Sequence, residues 1–212
     1  MKILEVKSLA LPEVKVIRYA RFSDERGYFT ESYQMKEFAS HEQLAPIFTN
    51  RPMVQLNENY SKPKTVRGLH SQWTPKQNKL VRTIWGRMVD VVVDIRPNSA
   101  NFGRGIMYDM PADPTADFGE LIWVPFGFAH GNYYTVESKI EYLVDTPWGG
   151  TEGEGGISPL SPNIDWDMCE PHLLAEYKDI LGASPLLAPK DRDGMSLETW
   201  KNSDIAKTHF TS

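Results

Sequence analysis

Residues 119–130 read G-E-L-I-W-V-P-F-G-F-A-H, and this stretch decides how the rest of the chain is read. Leu121–Val124 is a short apolar run of β-prone residues, and Phe128–Ala129 resumes it. Between them Pro125 removes a backbone donor and Gly127 frees the chain to turn, so the segment predicts strand, tight turn, strand. The second strand ends on His130, beside Gly131, where a glycine permits close approach to the backbone. The same pattern recurs on both sides. Val14–Phe22 (VKVIRYARF) alternates apolar and polar residues at strand period. Tyr28–Gln34, Thr65–Gln72, Leu80–Pro97, Gly103–Met110 and Ser138–Thr146 also read as strands bounded by Gly, Pro or Asp-rich turns. Within Met88–Ile95 one face carries Val89, Val91, Val93 and Ile95. The other carries Met88, Asp90, Val92 and Asp94 and is expected to line a polar cavity or meet solvent. Helices are expected near Met35–Glu42 and over Pro171–Leu181, where Leu173, Leu174, Tyr177 and Leu181 share a face. Many short strands at this spacing predict an all-β sandwich, jelly roll or barrel with a few short helices, mainly C-terminal.

Composition bounds the rest. The 212 residues are 41% apolar and 24% charged, an ordinary globular balance. At roughly 100–200 residues per domain the chain is read as one domain, residues 1–212, with a C-terminal helix and tail from about 170. A net charge of −5 argues against a general nucleic-acid or membrane-surface binder. One cysteine, Cys169, rules out an internal disulfide and suits a reducing cytoplasm. The charged residues Glu5, Lys7 and Glu13 break any signal-peptide core, and no run reaches the roughly 18 apolar residues of a membrane span. Gly149–Gly156 (GGTEGEGG) reads as a flexible loop, and the polar residues after Asp191 read as a loosely held tail.

Of the five histidines, His41, His172 and His209 sit in polar or terminal contexts and read as solvated. His70 and His130 lie in apolar strand patterns beside glycines; each alone reads as a buried structural histidine, and together they suggest a site. The spacing G-x5-P-x-G-x2-H over Gly119–His130 is similar to the second motif of the cupin superfamily, whose fold is a small jelly roll or β-barrel with a site inside. The first cupin motif would supply H-x-H and a glutamate, but the chain reads His70-Ser71-Gln72 with no glutamate following. Three or four converging ligands are needed for a metal, so none is expected.

A longer match runs along the chain. Phe22–Ser32 (FSDERGYFTES), Val54–Ser61 (VQLNENYS), Val66–Arg82 (VRGLHSQ then QNKLVR), Val124–Gly131 (VPFGFAHG) and Glu141–Asp145 (EYLVD) appear in order. Asn163–Trp166 (NIDW) and Lys190-Asp191 follow. This order resembles the nucleotide-sugar 3,5-epimerase family, typified by dTDP-4-dehydrorhamnose 3,5-epimerase, over roughly residues 12–193. The joint pattern is specific; its single pieces are weak.

The resemblance implies a cytoplasmic enzyme that needs no cofactor and inverts C3, C5 or both of a nucleotide-linked 4-keto sugar. Protons α to the C4 carbonyl are acidic because their removal gives an enolate. Inversion then needs a base on one face, an acid on the other and a cation near O4. The resemblance implies His70 as base, Asp191 as its orienting partner, Lys79 at the enolate oxygen and Tyr142 as the opposing acid. It further implies Arg26 and Arg67 for the diphosphate, aided by Gln55, Asn57 and Lys190. Tyr28 or Trp148 would stack the base, Glu31 would accept from base or sugar, and Gln72 and His130 would contact the substrate. The early D-x-R-G-x-F-x-E strand of the family reaches into a partner subunit, so a homodimer is implied, with Arg26, Tyr28 and Glu31 exchanged.

The chain departs from the family pattern in places. Ser71 replaces the usual aromatic after the histidine, on the face opposite His70. Pro147-Trp148 stands where the family often has two tyrosines, which leaves guanine or cytosine open beside thymine. Two other readings stand beside the epimerase: a keto-sugar isomerase of the same fold, and a non-catalytic cupin that binds a nucleotide sugar.

Overall fold

The computed structural model describes residues 1–211. Its strands are β1 (Ile3–Ser8), β2 (Lys15–Ala20), β3 (Phe22–Asp24), β4 (Gly27–Phe29), β5 (Gln55–Ser61), β6 (Val66–Gln72), β7 (Lys79–Trp85), β8 (Arg87–Asp94), β9 (Gly105–Pro111), β10 (Phe118–Val124), β11 (Phe128–Tyr133), β12 (Ser138–Val144) and β13 (Glu154–Gly156). The helices are α1 (Met35–Ser40), α2 (Ala45–Phe48), α3 (Pro171–Gly182), α4 (Pro189–Arg192), α5 (Leu197–Asn202) and α6 (Asp204–His209). A front sheet runs β1-β2-β10-β7-β12-β5 and a back sheet β13-β6-β11-β8-β9, while β3 and β4 form a separate hairpin. The paired strands described within both sheets are antiparallel. The deciding stretch becomes β10, a turn and β11, and it crosses from the front sheet to the back one. This is an all-β jelly-roll architecture, one of the three that the strand spacing allowed and one that the cupin-like motif implied.

Strand alternation sends side chains to both faces, and both faces are covered. Val16, Val81, Ile122, Val124 and Ile140 of the front sheet meet Met88, Val92, Ile106, Met110 and Phe128 of the back sheet in one core. Their neighbours Ile17, Leu80, Leu121 and Trp123 point outward onto Phe38 of α1, Leu44 just before α2 and Phe48 of α2. Behind the back sheet, Val89, Val91, Val93 and Ile95 pack against α3 and the segment that follows it. Met88, Asp90, Val92 and Asp94 are therefore buried too: of the two expected settings solvent is excluded, while Asp90 lies behind the cavity wall as the partner of His130 and Asn132. Asp94 stays charged-compatible there because Arg96 reaches its Oδ2 at 2.6 Å and the Ser99 hydroxyl donates to the same oxygen at 2.6 Å.

Four local expectations change. Tyr28–Gln34 is not one strand: β4 stops at Phe29 and the chain runs irregularly into α1. The α3 face buries Leu173, Tyr177 and Ile180, with Leu174 and Leu181 only partly covered, because the helix rolls toward β9 and β11. Gly149–Gly156 ends as β13, paired to β6 with Glu154 opposite Gln72 and Gly156 opposite His70. A side chain at 156 would lie 1.8 Å from the Leu69 carbonyl, so glycine there marks a close strand approach, not flexibility.

The tail after Asp191 is likewise ordered. Ser196 caps α5 by accepting from the Thr199 N–H, and Ser203 caps α6 by accepting from the Ala206 N–H. Trp200 is fully buried and donates Nε1–H to the Ile95 carbonyl at 2.8 Å. Phe210, Trp73 and Trp200 stack into one aromatic cluster, and His209 joins it against Trp73. Trp200→Ala is expected to cost about 3–5 kcal/mol. Chemical denaturation checks this, since a loosely held tail would give a change within about 0.5 kcal/mol.

Candidate active site

Between the sheets lies a cavity of about 260 Å³, open at one side. Alternation along β7 turns Lys79 and Val81 inward, and along β12 it turns Ile140 and Tyr142 inward; Tyr142 sits opposite Val81. Asn59 of β5, opposite Ile140, completes the front wall. The back wall is Arg67 and His70 of β6 and His130 and Asn132 of β11. A strict period of two would put positions 67 and 70 on opposite faces. The β6–β11 register slips between the His130–His70 and Asn132–Arg67 pairs, and this bulge returns both side chains to the cavity. Gly68 makes the bulge: its φ is +104°, and a Cβ there would lie 2.6 Å from the His130 carbonyl.

Helix α4 closes the floor with Lys190 and Asp191. Asp191 Oδ1 lies 2.7 Å from His70 Nε2, and Oδ2 accepts the Gly68 N–H at 3.2 Å. Burial alone would raise this carboxyl. The hydrogen bond and charge of His70, the Gly68 N–H and the Lys190 ammonium more than offset it, so Asp191 sits below the ordinary carboxylate value. An ionised Asp191 only accepts, so in the neutral form of the ring Nε2 carries the proton and the lone pair is on Nδ1. The nearest carboxylate to Nδ1 is Glu154, with Oε1 at 3.6 Å. A second pair stands beside it: His130 Nε2 lies 2.7 Å from Asp90 Oδ2, which also accepts from Asn132 at 3.1 Å.

Burial holds the Lys79 ammonium below its ordinary value; Glu154 and Asp90 pull it back up, and Lys190 pushes it further down. Burial raises the Tyr142 phenol, Glu154 raises it further and Arg67 opposes. The site thus offers a lone-pair nitrogen on the back wall and a protonated phenol and an amine on the front wall. That arrangement can pass protons across a bound molecule and hold a negative oxygen between. Among the described residues no group of three or more His, Cys, Asp or Glu side chains stands in a metal-binding arrangement.

Seven of the sequence candidates meet in this cavity: His70, Lys79, Tyr142, Asp191, Arg67, His130 and Lys190. Gln55 and Asn57 lie on the same strand as Asn59, bonded to each other at 2.7 Å and outside the cavity lining. Gln72 does not reach the cavity. It is buried, donates to the Pro75 and Pro147 carbonyls and accepts from the Gly149 N–H, so it braces the loop above. Trp148 is exposed and outside the cavity lining, with Nε1–H donated at 2.8 Å to Oε2 of Glu154, which does line it. Arg26, Tyr28 and Glu31 stand away from the cavity on the β3–β4 arm and its exit. Arg26 pairs with Asp24 in solvent, Tyr28 stacks under Arg21 and Glu31 binds the N-terminal ammonium. Asn59, Asn132 and Glu154 were not singled out in the sequence. Asn59 lies on β5, in a segment noted only for its motif, Asn132 lies just past the strand read as ending at His130, and Glu154 lies in a segment read as loop.

A family model described as dTDP-4-dehydrorhamnose 3,5-epimerase matches residues 8–208. The chain belongs to that family. It is 37% identical over 176 residues to the dTDP-4-dehydrorhamnose 3,5-epimerase of Sinorhizobium fredii, covering 80% of this chain and 84% of that one. Among solved structures, a dTDP-6-deoxy-D-glucose-3,5-epimerase from Legionella pneumophila, in complex with dTDP-4-keto-L-rhamnose, superposes with a TM-score of 0.76. The two are 31% identical, and the match covers 92% of this chain and 93% of that one. NovW, a 4-keto-6-deoxy sugar epimerase from Streptomyces spheroides, gives 0.74 at 26% identity, over 94% of this chain and 89% of its own. As a member of the 3,5-epimerase family this chain is an epimerase. No helix among the described residues is long and apolar enough to cross a membrane.

The buried amine of this 3,5-epimerase predicts a trade of stability for function. A folded Lys pKa held below its free value of 10.5 means the charged form opposes folding. Lys79→Met is therefore expected to raise Tm by about 2–4 °C at neutral pH, the shift of ~1 kcal/mol in a chain of this size. The gain should shrink as pH rises through the lowered lysine value toward the free one, where the wild-type amine is neutral. Calorimetry across that range checks the sign.

Proposed function

We propose that the protein inverts C3 and C5 of a dTDP-linked 4-keto-6-deoxy sugar, without a cofactor, by proton transfer through an enolate. The carrying observation is that His70 and Tyr142 face one cavity from opposite sheets, with Lys79 on the wall of Tyr142. His70 Nδ1 takes the proton α to the C4 carbonyl; the C–H pair becomes the enolate, and O4 accepts from the Lys79 ammonium. The Tyr142 hydroxyl gives its proton to the other face of the same carbon and recovers one from water. Asp191 keeps the base in the right tautomer and stabilises the imidazolium. His130, with Asn132 and Asn59, orients the sugar hydroxyls, and Arg67 and Lys190 meet the diphosphate.

The nucleotide end is completed by a second copy of the chain. The β3–β4 arm leaves its own protomer with Phe22, Tyr28 and Phe29 exposed, and Arg26 is 84% exposed. On the outer face of the front sheet Leu56, Tyr60 and Ile84 are exposed as well. A homodimer covers this apolar surface and brings Arg26, Tyr28 and Glu31 to the partner's cavity mouth. Trp148 supplies the stacking surface from this chain. The relatives are dTDP-sugar epimerases, which favours dTDP over the guanine or cytosine nucleotides that Pro147-Trp148 left open. An isomerase using paired histidines in H-x-H is disfavoured, because Gln72 is turned away into the loop.

In heavy water with dTDP-4-keto-6-deoxyglucose, NMR is expected to show solvent deuterium entering C3 and C5 with inversion. His70→Ala should lower the rate by about 10²–10⁴-fold at both carbons, the usual worth of a general base. Tyr142→Phe should leave measurable exchange but impair inversion; wild-type inversion in that variant would remove the phenol from the reaction. Calorimetric titration of dTDP, GDP, CDP and UDP is expected to favour dTDP. Arg26→Ala should weaken that binding although Arg26 lies outside its own protomer's cavity.

A further inference from the structure

Glu154 is placed against the reactive groups in a way the proposed roles do not use. It stands on β13 opposite Gln72 of β6, two residues along from His70, and its side chain lines the same cavity as that ring. Oε1 lies 3.6 Å from His70 Nδ1, too far for a hydrogen bond but within ion-pair distance of a protonated ring. Oε2 is fixed from the solvent side by the Trp148 indole at 2.8 Å. The carboxylate is about a quarter exposed (23%), so it touches both the imidazole and bulk water.

The geometry points to Glu154 as a positioning residue that receives the proton His70 has taken from the sugar and releases it to solvent, so that it does not return to the face it left. This rests on the proposed epimerase reading, since it presumes that His70 Nδ1 is the base. The steps balance. The carbon loses a proton to Nδ1 and becomes part of the enolate. The new Nδ1–H passes its proton to the Glu154 carboxylate, which restores the neutral imidazole. The resulting carboxylic acid gives the proton to water. The Tyr142 phenolate left by protonation of the opposite face takes one proton back from water, so nothing is consumed. Without such an exit the imidazolium is the nearest acid to the enolate and returns the proton to the face it left. The anchor matters because a carboxylate free to swing would meet the Lys79 or Lys190 ammonium instead. Both cations line the same cavity, and the other charged or titratable groups lining it with Glu154 are His70, His130, Tyr142, Arg67 and Asp191.

The test partitions the abstracted proton. Reactions in heavy water are stopped early, and deuterium at C3 and C5 is measured separately in product and in recovered substrate. Wild type should label both pools, because an exchanged imidazolium returns deuterium when the step reverses. Glu154→Gln keeps the size of the side chain and an acceptor for the Trp148 N–H, so β13 stays in place. It should still label the product, while label in recovered substrate falls by about tenfold relative to product, the change ~1.4 kcal/mol in partitioning produces. Glu154→Asp should restore part of the ratio, and Trp148→Phe should lower it in the direction of Glu154→Gln. In Glu154→Gln the alkaline limb of kcat should also move to lower pH, because the carboxylate that raises the Tyr142 phenol is gone. A ratio that stays at the wild-type value, with KM or overall rate alone changed, overturns the proposal and leaves Glu154 a structural residue. Absence of exchange and inversion in the wild type would instead overturn the epimerase reading.

Discussion

The site depends on one buried carboxylate. Asp191 accepts from His70 on one oxygen and from the backbone of Gly68 on the other. A charge in that position is tolerable only because both oxygens are satisfied and a cation, Lys190, stands beside it. The consequences spread outward. The carboxylate sets the histidine tautomer, and so decides which ring nitrogen faces the cavity. It also requires the β-bulge at Gly68, since only that bulge presents the N–H of residue 68 and the ring of residue 70 to one acceptor. And it requires α4 to be seated firmly under the sheet. The chain around α4 is tied down by the Val66 N–H to the Leu186 carbonyl at 3.1 Å and the Ser158 N–H to the Met195 carbonyl at 2.8 Å.

The rest of the cavity is an exception within a well-packed sandwich. Strands that bury both faces read as nearly continuous apolar runs, and β8 is one of them. Polar groups placed between such sheets must find partners among themselves. Asp90, His130 and Asn132 do so on the back wall, yet one oxygen of Asp90 stays buried without a partner. Lys79 is held below its ordinary value by burial. These are the costs of placing polar groups between packed sheets, and the aromatic and aliphatic layers outside both sheets offset them.

Much of this could be read along the chain. The alternation in Val14–Phe22 and Ser138–Thr146 and the Pro-Gly turn at residues 125–127 were local signals, and the strands formed where they pointed. The motif order brought His70, Lys79, Tyr142, Arg67, His130 and the remote Asp191 into one cavity. The misreadings have a common cause. GGTEGEGG looked unstructured because its glycines were counted as freedom. Gly156 is instead needed for a close approach to a strand more than eighty residues earlier. The tail looked loose because its apolar residues are sparse. Trp200 and Phe210 are few, but each is fully covered by the back sheet and its aromatic neighbours. Gln72 looked like a ligand because it sits two residues from His70 on a strand. Its amide is engaged by loop carbonyls brought in from residues 75 and 147.

Strand period, turn residues and motif order are local properties, so the all-β architecture, its family and the identity of most site residues were already present in the linear chain. What needed the folded molecule were quantities that depend on distance between remote segments. Those are the parity shift at Gly68 that turns Arg67 and His70 the same way, the Asp191–His70 contact and the position of Glu154 between an imidazole and an indole. A pattern of residue types cannot encode which of two ring nitrogens is free. That is set by where a carboxylate over a hundred residues away comes to rest.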